Sequence, residues 1–176
     1  MNKNLIQLAD EYRRLDRKRK IRGGKLSPQE EKRLAQLKDY LSQSLHESSP
    51  GTDRRGDLRV PVSMRVRYHT GNVFTNNYIS NLSSGGVFIS TPKPLPLDTK
   101  VKLQLIFEDR NIEIDIEGKV VWENTQGRTF GDITKPGMGI KFTKVGKEAQ
   151  EVIDDLVHDL LDEQARIKQE RQERKK

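Results

Sequence analysis

The run "RVPVSMRVRY", Arg59 to Tyr68, is where the chain changes its periodicity. Val60, Val62, Met64, Val66 and Tyr68 alternate with Ser63, Arg65 and Arg67, so an extended segment here has one apolar and one polar side. Before it, apolar residues recur at helical spacing. After it come further short apolar runs: "NYIS" (77–80), "GVFIS" (86–90), "KVKLQLIF" (100–107), "IEIDIEGKVVWE" (112–123) and "GMGIKF" (137–142). Turns rich in glycine, proline and asparagine separate them, and no helical pattern intervenes. Residues 59–146 therefore predict a small antiparallel barrel or sandwich.

Upstream, residues 1–47 predict a helical hairpin. Leu5, Leu8, Tyr12 and Leu15 form a stripe that Ile6 and Ala9 widen. "RGGK" breaks it and "SPQEE" restarts it, with Ser27 as N-cap, Pro28 at the first helical position and Glu30 completing a capping box. Leu34, Leu37, Leu41 and Leu45 form the second stripe, and "SSPG" at 48–51 closes it. Such a hairpin is too small to bury much alone, which favours packing within its own chain over a dimer seam. Downstream, residues 147–176 return to helix, with Val152, Ile153, Leu156, Val157, Leu160 and Leu161 on one stripe. Beyond Ile167 no apolar face remains, and fraying is expected there. The whole is an α+β chain.

Composition narrows the function. Apolar residues make up 32% and charged residues 34%, and there is no cysteine, so thiol nucleophiles, disulfides and thiolate metal sites are excluded. The N-terminus runs straight into charge without an apolar signal segment, and no stretch of 18 apolar residues occurs, so a cytoplasmic address is expected. Residues 1–50 carry net +5, residues 51–146 net +4 and residues 147–176 net −2. A basic front half suits an anionic partner. His46, His69 and His158 stand apart, without grouped carboxylates, and support neither a metal site nor a catalytic triad. Asp154, Asp155, Asp159 and Asp162 fit the polar face of the last helix. No residue pattern argues for catalysis.

Two segments remain. "DRRGDLR", Asp53 to Arg59, places three arginines in the linker 48–58. Its R-x-x-x-R spacing means little alone, since Arg13 and Arg17 repeat it on a helix. "NLSSGG", Asn81 to Gly86, lies between two strands as a tight connection. An arginine fork matches guanine O6 and N7 or a pair of phosphate oxygens, and its plane can stack on a base. Asn81 offers donor and acceptor, Ser83 a hydroxyl, and Gly85 and Gly86 close approach to backbone N–H groups.

In this order, Arg55-x-x-x-Arg59 followed by Asn81-x-Ser83-x-x-Gly86 and "VFIS" resembles the PilZ domain. "LPLDTKVKLQL" (95–105), "IEGKVVW" (116–122) and "PGMGIKF" (136–142) resemble its later strands. The resemblance implies a six-stranded barrel with a C-terminal helix and a receptor for cyclic di-GMP, the bacterial second messenger. It implies that Arg55 and Arg59 grip guanine and phosphate, while Asn81 and Ser83 read a guanine and Gly86 leaves room. Arg54, a basic residue just before the first motif arginine, resembles members that bind an intercalated pair of ligands. Because these arginines lie in the linker between hairpin and barrel, the expected mechanism is a ligand that orders the linker and reorients the N-terminal helices toward a protein partner. Two alternatives stand beside it: a nucleic-acid-binding protein using "RRLDRKRKIRGGK", and a PilZ-fold scaffold working through protein contacts alone. Trp122 and Tyr68 read as packing residues rather than base platforms. Whether the chain acts as monomer or dimer stays open.

Overall fold

A computed structural model describes residues 4–21, 24–45, 57–70, 73–125, 128–129, 132–133 and 136–174. Two helices come first, α1 (Leu5–Lys20) and α2 (Pro28–Leu45). Asn4 caps α1, its Oδ1 accepting from the Ile6 and Gln7 amides at 3.0 and 3.4 Å. The expected capping box opens α2. The Ser27 hydroxyl accepts from the Glu30 amide at 3.3 Å, and the Glu30 carboxylate accepts from the Ser27 amide at 2.9 Å.

Strands follow: β1 (Val60–Thr70), β2 (Val73–Ser83), β3 (Gly86–Ser90), β4 (Lys100–Phe107) and β5 (Ile112–Asn124), then two short strands, β6 (Arg128–Thr129) and β7 (Asp132–Ile133), and lastly β8 (Gly137–Lys144). The short pair forms its own antiparallel ribbon. The other six close into a barrel in the order β1-β2-β3-β8-β5-β4. Closure comes from β1 running antiparallel to β4, with Val66 opposite Leu105 and Tyr68 opposite Leu103. A closed barrel leaves no unpaired edge, which suits strands this short. The alternation read in Arg59–Tyr68 holds: Val60, Val66 and Tyr68 are buried while Ser63, Arg65 and Arg67 are exposed.

Helix α3 (Lys147–Glu173) ends the chain. It continues six residues past Ile167, a correction to the expected fraying. Its last two turns keep local support, including a Gln169–Glu173 hydrogen bond at 3.2 Å.

The chain divides into two compact units, Met1–Pro61 with Asp155–Lys176, and Val62–Asp154. In the first, the expected stripes are buried: Leu5, Leu8 and Tyr12 on α1, Leu34, Leu37 and Leu41 on α2, Leu156 and Leu161 on α3. The helices are tied by Arg13–Asp162 at 2.7 Å, Arg17–Asp155 at 2.9 Å and a bidentate Arg33–Glu11 pair. In the second, Ile79, Leu82, Ile89, Leu103, Leu105, Met138 and Ile140 are almost fully buried. Among the described residues no helix is long and apolar enough to cross a membrane.

Candidate functional site

The segment Asn81–Gly86 forms the end of a hairpin. Asn81, Leu82 and Ser83 finish β2, Ser84 and Gly85 make the turn, and Gly86 opens β3. This corrects the expectation of a loop: Ser83 pairs with Gly86 and Asn81 with Phe88, so only two of the six residues leave the ladder. The register shifts between Ile79 and Asn81. Such a bulge re-aims the side chain that follows it.

Asn81 Oδ1 is buried and has no hydrogen-bond partner among the described residues. Buried polar atoms in folded proteins are nearly always paired, so an orphan acceptor in a strand needs an explanation. Ser83 is buried, and its Oγ donates to the Gly86 carbonyl at 3.2 Å. That uses its one proton and leaves acceptor capacity on the oxygen.

The turn is fastened from two sides. The Gly85 carbonyl accepts from the Phe142 amide at 2.9 Å. The Ser84 carbonyl accepts from Gln150 Nε2 in the first turn of α3, at 3.0 Å. Gln150 also donates to Asp154 Oδ1 at 3.1 Å. Gly86 answers to packing as well, since a Cβ there would lie 2.4 Å from the Ile140 carbonyl oxygen. Next to Asn81 in the ladder, Phe88 meets Trp122 with ring centroids 5.6 Å apart and planes tilted by 51°. Trp122 is part-exposed and Tyr68 is buried.

The arginine segment belongs to the other unit. Arg54 and Arg55 lie outside the described residues, as does most of the linker. Arg59 is half-buried immediately before β1. The two residues preceding it are docked on α1. Leu58 is buried, and its backbone hydrogen-bonds the Tyr12 hydroxyl. Asp57 Oδ1 accepts from Arg19 Nη2 at 3.3 Å. The same nitrogen donates to Asp16 Oδ1 at 2.6 Å, and Asp16 Oδ2 takes Lys20 Nζ at 2.8 Å and His158 Nε2 at 3.0 Å.

Burial pushes against ionisation of Asp16, but hydrogen bonds from His158 and Lys20 and the charges of Lys20 and Arg19 bring its carboxyl down to about 2. Burial, reinforced by the Asp16 charge, pushes the Tyr12 hydroxyl up. The Asp16 side chain is 3% exposed and His158 1%. His158 Nδ1 is buried and has no partner among the described residues.

Sequence reasoning missed Gln150, the Asp16–His158 pair and the Arg19–Asp57 contact. Each joins positions far apart in the chain, and a polar residue on a helix gives no local sign of its partner. The Arg13/Arg17 pair, which shares the motif spacing, is spent on α3 through Asp162 and Asp155. Lys18 is paired with Glu30, and Lys20 with Asp16. The basic run of α1 is thus largely neutralised by its own fold, which weakens the case for a nucleic-acid face there.

A family model for the PilZ domain matches residues 53–159. Among solved structures, the PilZ domain of YcgR from Escherichia coli with c-di-GMP is similar at a TM-score of 0.54 and 15% identity, over 67% of this chain and 98% of that one. The K. pneumonia MrkH–c-di-GMP complex is similar at 0.51 and 19%, over 62% of this chain and 52% of that one. The Bacillus subtilis inhibitor of motility, MotI, is similar at 0.50 and 16%, over 60% and 49%. This chain spans about half the length of the last two. At such identities the likeness is one of fold. No curated protein matches the chain in sequence.

Proposed function

The chain belongs to the PilZ domain family, and from that premise we propose that it is a cyclic di-GMP-binding effector rather than an enzyme. The observation that carries this is the orphan acceptor at Asn81, standing inside the second of two ordered motifs. A guanine presents N–H donors on its Watson–Crick edge, and an amide oxygen with no partner among the described residues complements them. In this proposal Asn81 reads a guanine, and Ser83 accepts from the ligand through its remaining lone pairs. Gly85 and Gly86 let the ring approach the backbone. Arg54, Arg55 and Arg59 supply bidentate contacts to guanine and phosphate. Three arginines suit an intercalated ligand pair, whose phosphates carry twice the charge of one molecule.

Binding is proposed to repack the site rather than fill a ready-made one. Asn81 Oδ1 is out of reach of solvent, so a ligand that uses it must displace what covers it. The linker end is fastened to α1 at Asp57 and Leu58, so a pull on Arg55 and Arg59 acts directly on that helix. A reoriented helical unit is the proposed output, presented to a protein partner.

Calorimetric titration of cyclic di-GMP into wild type, Arg59→Ala and Asn81→Ala tests the assignment. Each lost contact costs about 1–3 kcal/mol of binding. Unchanged affinity in both variants removes the site.

A further inference from the structure

The barrel wall farthest from the Asn81–Gly86 turn is unevenly charged. In the strand order β1-β2-β3-β8-β5-β4, the seam between β4 and β5 lies across the barrel from the β2–β3 hairpin. Near one end of this wall the polar side chains satisfy one another. Arg67 Nη1 donates to Gln104 Oε1 at 2.6 Å, Gln104 Nε2 donates to Glu113 Oε2 at 3.1 Å, and Arg65 pairs with Glu108 at 2.8 Å.

Toward the other end they do not. Lys100 stands opposite Lys119 in the ladder, and Lys119 opposite Lys141. In the next row Lys102 stands opposite Glu117, and Glu117 opposite Lys144. Like charges directly opposite one another weaken a sheet. Lys119 is answered by Asp98 at 2.7 Å. Lys100, Lys102, Lys141 and Lys144 are exposed and hold no ion pair or side-chain hydrogen bond among the described residues. Lys100, Lys102, Lys119 and Lys144 rim an open groove of about 660 Å³, with Gly118 and Thr143 between them. A second groove of about 570 Å³ adjoins it and shares Lys102, Glu117 and Lys144.

The chemistry narrows the occupant to one class. A lysine ammonium is a hydrated point charge suited to phosphate. These two rows hold no large apolar or aromatic side chain in an outward position. A protein interface is depleted in lysine and needs an apolar centre, and single-stranded nucleic acid needs aromatic platforms for its bases. A plane of lipid headgroups reaches the rim of a trough, whereas the ridge of phosphates on a duplex enters it.

We propose that this wall binds double-stranded nucleic acid through its phosphates, by way of Lys100, Lys102, Lys141 and Lys144, without reading sequence. The surface is independent of the cyclic di-GMP reading. It places nucleic-acid contact on the barrel rather than on the basic run of α1.

Fluorescence anisotropy of a labelled random duplex of about 20 base pairs, titrated with the full chain, tests this. With four phosphate contacts, raising salt from 50 to 200 mM should weaken wild type by about 150-fold. Lys100→Gln/Lys102→Gln/Lys144→Gln keeps one contact and should weaken by only about three- to fourfold over the same range. It should also bind much more weakly than wild type at 50 mM, while melting no lower, because a row of like charges has been relieved. Arg14→Gln/Lys25→Gln/Lys32→Gln removes the same charge from exposed positions of the helical unit and should bind as wild type does. Equal losses in the two triple variants reduce the effect to net charge and overturn the proposal, as does a loss confined to the helical variant. Absence of duplex binding by wild type at 50 mM salt overturns it too, including the case in which vesicles containing phosphatidylserine bind instead. So does a barrel variant that keeps its duplex affinity and loses only cyclic di-GMP, since the wall then belongs to the nucleotide.

Discussion

Replacing Gly86 with alanine asks whether this glycine serves the ligand or the barrel. Its added Cβ would sit 2.4 Å from the Ile140 carbonyl oxygen, roughly 1 Å short of ordinary contact. Neither side can yield cheaply. Gly86 is paired with Lys141 and Val87 with Ile140 in the β3–β8 ladder, and the Phe142 amide is bonded to Gly85 at 2.9 Å. Relief requires β3 and β8 to part, at the cost of overpacking in a tight core, about 1–3 kcal/mol. Against this, alanine loses less chain entropy than glycine on folding, about 0.4–1 kcal/mol in its favour. The net expectation is a loss of about 1–2 kcal/mol, or roughly 2–8 °C in Tm for a chain of this size. Thermal and urea unfolding of the ligand-free protein measure it. Gly139→Ala is the matched control, because among the described residues its Cβ meets only Trp122 Cβ, at 3.4 Å. That variant should equal wild type or gain up to about 1 kcal/mol. Gly86→Ala melting at or above wild type, with only ligand affinity reduced, would refute the packing argument and leave the glycine to the ligand alone.

Asp16→Asn should change how stability depends on acidity. The Asp16 carboxyl is held at about 2, below its ordinary 3.8, so its contribution is present above pH 4 and fades as pH falls toward 2. The gap between wild type and Asp16→Asn should therefore shrink by about 2 kcal/mol between pH 5 and pH 2 in urea unfolding, and a gap independent of pH contradicts the ion-pair account. The chain has no cysteine, so spin labels at Gln36→Cys on α2 and Lys93→Cys after β3 report on the proposed reorientation. Their distance distribution should change when cyclic di-GMP is added, and an unchanged distribution in a ligand-saturated sample removes the switch. Trp122 is the sole tryptophan, and its ring lies against Phe88, the ladder partner of Asn81. Its emission should shift on titration with wild type and stay flat with Asn81→Ala.

Much of the architecture was legible because it is written in local periodicity. A stripe such as Leu34, Leu37, Leu41 and Leu45 has only one way to be buried, and Ser27, Pro28 and Glu30 fix a helix start through bonds within one turn. The period-two run from Val60 commits its residues to a strand, because alternate side chains fall on opposite faces. The two motifs were legible for the same reason, as residue types at fixed short offsets. Even there the connection in "NLSSGG" was drawn too long, since turn-forming residues look alike whether they pair or not.

Tertiary structure alone decided which polar groups meet. The sequence separations of 142 between Asp16 and His158, and of 66 between Ser84 and Gln150, leave no periodic trace, yet each pair lies at about hydrogen-bond distance. Only folding shows that Arg13 and Arg17 are consumed by α3, and that Asp57 is held by Arg19. Apolar patterning dictates where the backbone goes because burial is additive and non-directional. Hydrogen bonds and ion pairs are short-ranged and directional, so their partners are chosen only once the backbone has brought them together.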